Sequence, residues 1–81
     1  MLLHILLFAG AKARLGRESI AIDVPPDTTV GELRTILSAA HPALVEILAH
    51  ARLAVNSEYA GDDHVIPSAA EVALIPSVSG G

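Results

Sequence analysis

The residues best suited to chemistry lie at the end of the chain, Ile75-Pro76-Ser77-Val78-Ser79-Gly80-Gly81. The apolar run Glu71-Val72-Ala73-Leu74-Ile75 reads as a strand, and Pro76 ends it because proline has no N–H for a further ladder bond. Fully extended, residues 77–81 reach roughly 16–18 Å from the body of the domain. Their tip is an α-carboxylate with no Cβ on either of the last two residues, so it fits a narrow channel that bulkier residues would block. This carboxylate is the expected reactive group, with Gly80, Ser79 and Val78 threading behind it and the upstream chain presenting it. A frayed Gly/Ser terminus is the alternative, and the tail alone does not separate the two.

Side-chain chemistry has little support elsewhere. His4, His41, His50 and His64 show no metal-ligand spacing, and no cysteine accompanies them. Asp62-Asp63-His64 reads as a polar loop. Gly10-Ala11-Lys12-Ala13-Arg14-Leu15-Gly16 lacks the Gly-Lys-Ser/Thr ending of a phosphate loop, and no Gly-x-Ser-x-Gly elbow occurs. With no cysteine, the chain has no side chain to carry a persulfide or act as a thiolate.

The 81 residues are 52% hydrophobic with one Phe and one Tyr, a composition too apolar for disorder and apolar enough to leave a contact patch outside. Net charge is −4, and the basic residues Lys12, Arg14, Arg17, Arg34 and Arg52 form no stripe, which argues against nucleic-acid binding. The apolar start lacks a basic n-region and is too short to span a bilayer, so a cytoplasmic protein without a membrane partner is expected.

Several elements must position the tail. Leu2 to Ala9 is a near-continuous apolar run, as in a strand buried on both faces, with Leu3, Ile5 and Leu7 on one side and His4, Leu6 and Phe8 on the more open one. Ala11 to Leu15 suits a helical turn closed by Gly16. Ser19 to Val24 alternates as a second strand, hairpin-paired with the first. Thr29-Val30-Gly31-Glu32 matches a capping box, and Val30, Leu33, Ile36, Leu37 and Ala40 follow at helical spacing until Pro42. Pro42 to Ala51 reads as a shorter second helix, Leu53 to Asn56 as a third strand, Ser57-Glu58 as a turn before Tyr59, and His64 to Ile66 as a strand fragment. A right-handed crossover lets the last strand lie parallel to the first. The expected class is α+β: one mixed sheet with one main helix on one face, residues 1–76 as the domain and 77–81 as a flexible tail. Leu3, Ile5, Leu7, Ile22, Leu33, Leu37, Val72 and Leu74 are the expected core. If first and last strands are neighbours, Phe8 and Ile75, joined by Tyr59, form a partner patch on the face away from the helix.

Leu7-Phe8-Ala9 with Lys12 and Gly16, Val55-Asn56, and Glu71 through Gly81 together resemble the ubiquitin-like β-grasp sulfur carriers, most closely the MoaD type of molybdopterin synthase small subunit. The resemblance runs essentially end to end. Lys12 stands where that family often has arginine, and Tyr59 where an aliphatic residue is commoner. The resemblance implies a non-catalytic, sulfur-donating subunit. An E1-like (MoeB type) enzyme would adenylate Gly81 with ATP and magnesium, and a sulfur donor protein would convert it to a thiocarboxylate. The tail would then enter a MoaE-type large subunit, which contacts Phe8, Lys12, Tyr59 and Ile75, and sulfurate a cyclic pterin precursor. The chain itself would bind no cofactor or metal. Gly-Gly is shared by carriers of the ThiS type and by others serving tRNA thiolation or cysteine synthesis, whereas the Phe8-Ala9 and Val78-Ser79 contexts favour the molybdopterin pathway. A protein-binding module or modifier remains a third reading.

Overall fold

The computed structural model describes residues 1–76. Its order is β1 (Leu2–Leu7), α1 (Ala9–Leu15), β2 (Ser19–Asp23), α2 (Val30–Ala40), a 3-10 turn (Pro42–Leu44), α3 (Val45–Leu48), β3 (Arg52–Val55), β4 (Glu58–Ala60) and β5 (Glu71–Ile75). The strands form one mixed sheet, β2-β1-β5-β3-β4. β1 and β5 are parallel neighbours at its centre, with His4 opposite Glu71 and Leu7 opposite Leu74. The other pairings are antiparallel.

Alternation decides which face is filled. Leu3, Ile5 and Leu7 of β1, Val72 and Leu74 of β5, Ile20 and Ile22 of β2, and Leu53 and Val55 of β3 all point into one core with Val30, Leu33 and Leu37 of α2. All eight expected core residues are buried. The apolar run of β1 is not buried on both faces, however: Leu2 is 56% exposed and His4 is exposed. Among the described residues helices cover only one side of the sheet, so Leu2 and His4 face outward while Leu6 is only partly buried.

α2 forms for the reasons legible in its sequence. The Thr29 hydroxyl accepts a bond from the Glu32 N–H at 3.2 Å, and Glu32 Oε1 accepts one from the Thr29 N–H at 2.9 Å. The Thr29 N–H and, after it, the Thr29 hydroxyl, 3.1 Å from Oε1, donate to the Glu32 carboxyl and hold it below its ordinary pKa. The next two helix N–H groups are satisfied by a loop, Val30 donating to the His64 carbonyl and Gly31 to that of Asp62. Glycine eases this close approach: a Cβ at position 31 would stand 3.2 Å from the Asp62 Cβ and 3.3 Å from its carbonyl oxygen, so the loop would have to give by a few tenths of an ångström.

Several boundaries differ from expectation. β1 ends at Leu7 rather than Ala9, because Ala9 already starts α1 with φ 48°. The helix expected over Pro42–Ala51 is a 3-10 turn followed by the short α3, the chain having to turn back into β3 at Arg52. The turn falls at Asn56-Ser57, not Ser57-Glu58: φ values of 50° and 72° make a tight hairpin turn with matching twist, and Glu58 is already in β4. His64–Ile66 is no sheet strand; it makes one isolated bridge, Val65 to Thr29, while Ile66 drops into the core.

Candidate functional site

The uncovered face of the sheet carries the patch. Strand register sets Leu6 opposite Ala73, Ala73 opposite Ala54 and Ala54 opposite Tyr59, a single row across four strands. One step along, Arg52 stands opposite Ile75. Phe8 follows Leu7 in extended conformation (φ −127°, ψ 155°), which keeps the alternation and turns its ring to the Leu6 side, where it lies 46% exposed. Leu6, Phe8, Ala54, Tyr59, Ala73 and Ile75, with Ser57 and Glu71 at the rim, enclose a depression of about 360 Å³.

Local structure fixes each wall. The Phe8 carbonyl accepts from Ala11 and Lys12 N–H groups, so α1 locks the backbone that carries the ring. The hairpin turn presents Tyr59, and the Arg52 guanidinium lies over its ring, 5.0 Å from the centroid, a cation–π contact. Asn56 anchors the start of β5: its N–H donates to the Glu71 carbonyl at 2.8 Å, and its Oδ1 accepts from the Glu71 N–H at 3.0 Å. This clamp fixes where β5 enters the sheet, and the pairing of Ile75 with Arg52 holds its other end.

Of the sequence-predicted site residues, Phe8, Tyr59 and Ile75 come together in this depression. Lys12 does not line it. It lies in an adjoining hollow with Leu7, Ala9 and Glu18 that shares Leu6 and Phe8 with the first, and its Nζ is 3.4 Å from Glu18 Oε1. Val78, Ser79, Gly80 and Gly81 lie outside the described residues. Sequence reasoning missed the floor, Ala54 and Ala73, and the Arg52 lid on Tyr59. The available signal was the alternation that puts Ala73 in phase with Ile75.

A larger hollow of about 570 Å³ lies on the other side, between α2, α3 and the Asp62 loop. Its cation is already committed, with Arg34 Nε 3.0 Å from Asp62 Oδ1 and Nη1 donating to the Leu48 carbonyl at 2.7 Å. Arg34 is therefore a strut joining these elements. Among the described residues no three His, Asp or Glu side chains are grouped to hold a metal ion, and no helix is long and apolar enough to cross a membrane.

Comparison with known proteins narrows the meaning of this face. Residues 5–81 match the model of the ThiS family. The chain is 44% identical over 80 residues to the molybdopterin synthase sulfur carrier subunit of Dictyostelium discoideum, covering 95% of this chain and 93% of that one. It is 37% identical to the protein of the same name from Caenorhabditis elegans, covering 98% and 96%. It is also 35% identical to small archaeal modifier protein 1 of Haloferax volcanii, covering 93% and 95%. The crystal structure of SAMP1 from that organism superposes with a TM-score of 0.84 at 31% identity over the whole of both chains. The fold is thus the ubiquitin-like β-grasp.

Proposed function

The chain belongs to the ThiS family, and from that premise we propose that it is the sulfur-carrier subunit of a molybdopterin synthase, with Gly81 as the carrier. One observation carries the reading: an apolar, uncovered depression ends at Ile75, the residue from which the Gly-Gly tail sets out. A docking face and a reactive tip joined by a short tether suit a protein whose chemistry occurs inside its partners.

The steps follow from the carboxylate. An α-carboxylate is ionised at neutral pH and is a poor electrophile. Adenylation by an E1-like (MoeB type) enzyme with ATP and magnesium gives it AMP as a leaving group. The terminal sulfur of a persulfide on a sulfur donor protein then attacks the carbonyl carbon and AMP departs; a thiol reductant cleaves the S–S bond of the resulting acyl disulfide, leaving the thiocarboxylate on Gly81 and the donor's sulfur in a disulfide with that thiol. Sulfur must come from outside, because the chain has no cysteine. Each activated species needs a water-excluding site, or it hydrolyses. Gly80 and Gly81 leave the carbonyl unhindered, and Val78 and Ser79 thread behind them into a MoaE-type large subunit. There the sulfur passes to the cyclic pterin precursor, with catalytic side chains on the partner, while Phe8, Tyr59 and Ile75 dock and Lys12 sits at the margin.

The test is mass spectrometry of chain matured with its activating enzyme, ATP and a sulfur source. One oxygen should be replaced by sulfur, located on Gly81. Deleting Gly81, or appending one residue, should abolish pterin sulfuration while the circular dichroism spectrum stays unchanged; Gly81→Ala should impair transfer more than docking. An extended, unprocessed chain that still supports sulfuration would overturn the reading. The kinship to an archaeal modifier favours a second use, in which a lysine amine of another protein attacks the same acyl-adenylate and forms an isopeptide. Conjugates ending in Gly81 would reveal it.

A further inference from the structure

We propose that the depression on the open face is a pit for one large apolar side chain, of leucine, methionine or phenylalanine size, projecting from the large subunit that takes the tail. This rests on the carrier reading above and specifies how its docking face discriminates partners.

The floor is the key observation. Ala54 and Ala73 face each other across β3 and β5, and Ala54 is 6% exposed although it belongs to the uncovered face. Larger neighbours shade it: Leu6 beside Ala73, Tyr59 beside Ala54, and Phe8 and Ile75 at one end. Two small residues between four large ones make a recess, not a flat apolar sheet. Its volume of about 360 Å³ is at the low end of the roughly 300–1,000 Å³ typical of small-molecule sites. Apolar walls and an alanine floor suit an aliphatic or aromatic side chain, since buried anchors in fitted pockets dominate association energies.

The tether names the occupant. From Pro76, residues 77–81 extend at most roughly 16–18 Å, and Ile75 is a wall of the pit. A protein that encloses the Gly81 carbonyl must therefore cover the ground beside Ile75. The pit has Ile75 itself as a wall, whereas the neighbouring hollow beside Lys12 does not.

A knob in a pit and a merely greasy contact predict opposite effects of added bulk. Ala73→Leu enlarges the apolar surface but fills the recess. Ala21→Leu adds the same side chain to the same face on β2, where Ala21 is exposed opposite His4, clear of the recess. The full chain and each variant are titrated against the large subunit by calorimetry, with circular dichroism as the fold control. Ala73→Leu should weaken binding by about tenfold or more, as overpacking does, while Ala21→Leu should stay within about twofold. If Ala73→Leu fails to fold, Ala73→Val is read by the same criterion. Phe8→Asp should abolish binding as a check on the docking face itself. Ala73→Leu binding as tightly as the parent or tighter, with Phe8→Asp still dead, overturns the pit and leaves the docking face standing. Normal binding by Phe8→Asp overturns both. A variant that changes self-association instead, seen by sedimentation, makes a second copy the occupant and likewise overturns the proposal.

Discussion

Leu74 and Ile75 are adjacent residues of similar hydrophobicity with opposite fates. Leu74 is fully buried beneath the helices, while Ile75 borders the open depression. The same division runs through the sheet: Leu3, Ile5, Leu53 and Val72 are wholly enclosed, whereas Phe8 is 46% and Tyr59 63% exposed. Both faces are apolar, but only one is needed for folding. A small domain gains much of its stability from burying one such face. Apolar area retained on the other therefore calls for a second protein, in keeping with the high apolar content of so short a chain.

The sharpest way to break this contrast is to place one charge on each side of the peptide bond. Leu74→Asp should leave no folded protein, because an unpaired buried carboxylate costs more than the ~5–15 kcal/mol that holds a domain together can spare. Ile75→Asp should fold normally by circular dichroism and fail to bind the large subunit. Unfolding of both variants would show that the faces are misassigned. A milder cut on the covered side, Leu37→Ala, should lower unfolding free energy by about 2–5 kcal/mol in denaturant titration and leave the affinity of the folded fraction unchanged.

The helix cap offers the smallest effects and the cleanest separation, lying far from the open face. Thr29→Ala should destabilise by about 1 kcal/mol without altering docking. Glu32 adds a pH signature. Bonds from the Thr29 N–H and then its hydroxyl lower the pKa of its carboxyl. The stabilisation is therefore present above the ordinary carboxylate range and is lost as pH falls through the lowered value. Thermal melts of the parent and Glu32→Gln should differ slightly at neutral pH and converge in acid.

The contrast also shows what a sequence displays. Periodicity exposed the core, and the Thr29–Glu32 spacing exposed the cap, because both are local patterns with one physical solution. Phe8, Tyr59 and Ile75 were legible since alternation fixes a side and aromatics are scarce. The alanine floor was not, for a small residue makes a recess only when register brings large ones around it. Turns were misread for a related reason. Ala9, Asn56 and Ser57 all adopt positive φ, and only Asn among them favours it intrinsically. There the hairpin and the β1-to-α1 junction impose the conformation.

The central β1–β5 pairing joins segments from opposite ends of the chain, and this shapes how the protein is made. Synthesis releases the N-terminal part first, yet the middle of the sheet cannot close until β5 has emerged. Until then β1, the uncharged segment Leu2–Leu7, has one edge without its partner and an apolar surface without its cover, the kind of strand that pairs with stray neighbours. Such distant contacts also slow folding. The centre of the sheet therefore closes only once β5 is available, so β1 gains its parallel partner last of all the strands, and every earlier stage of folding leaves that edge open.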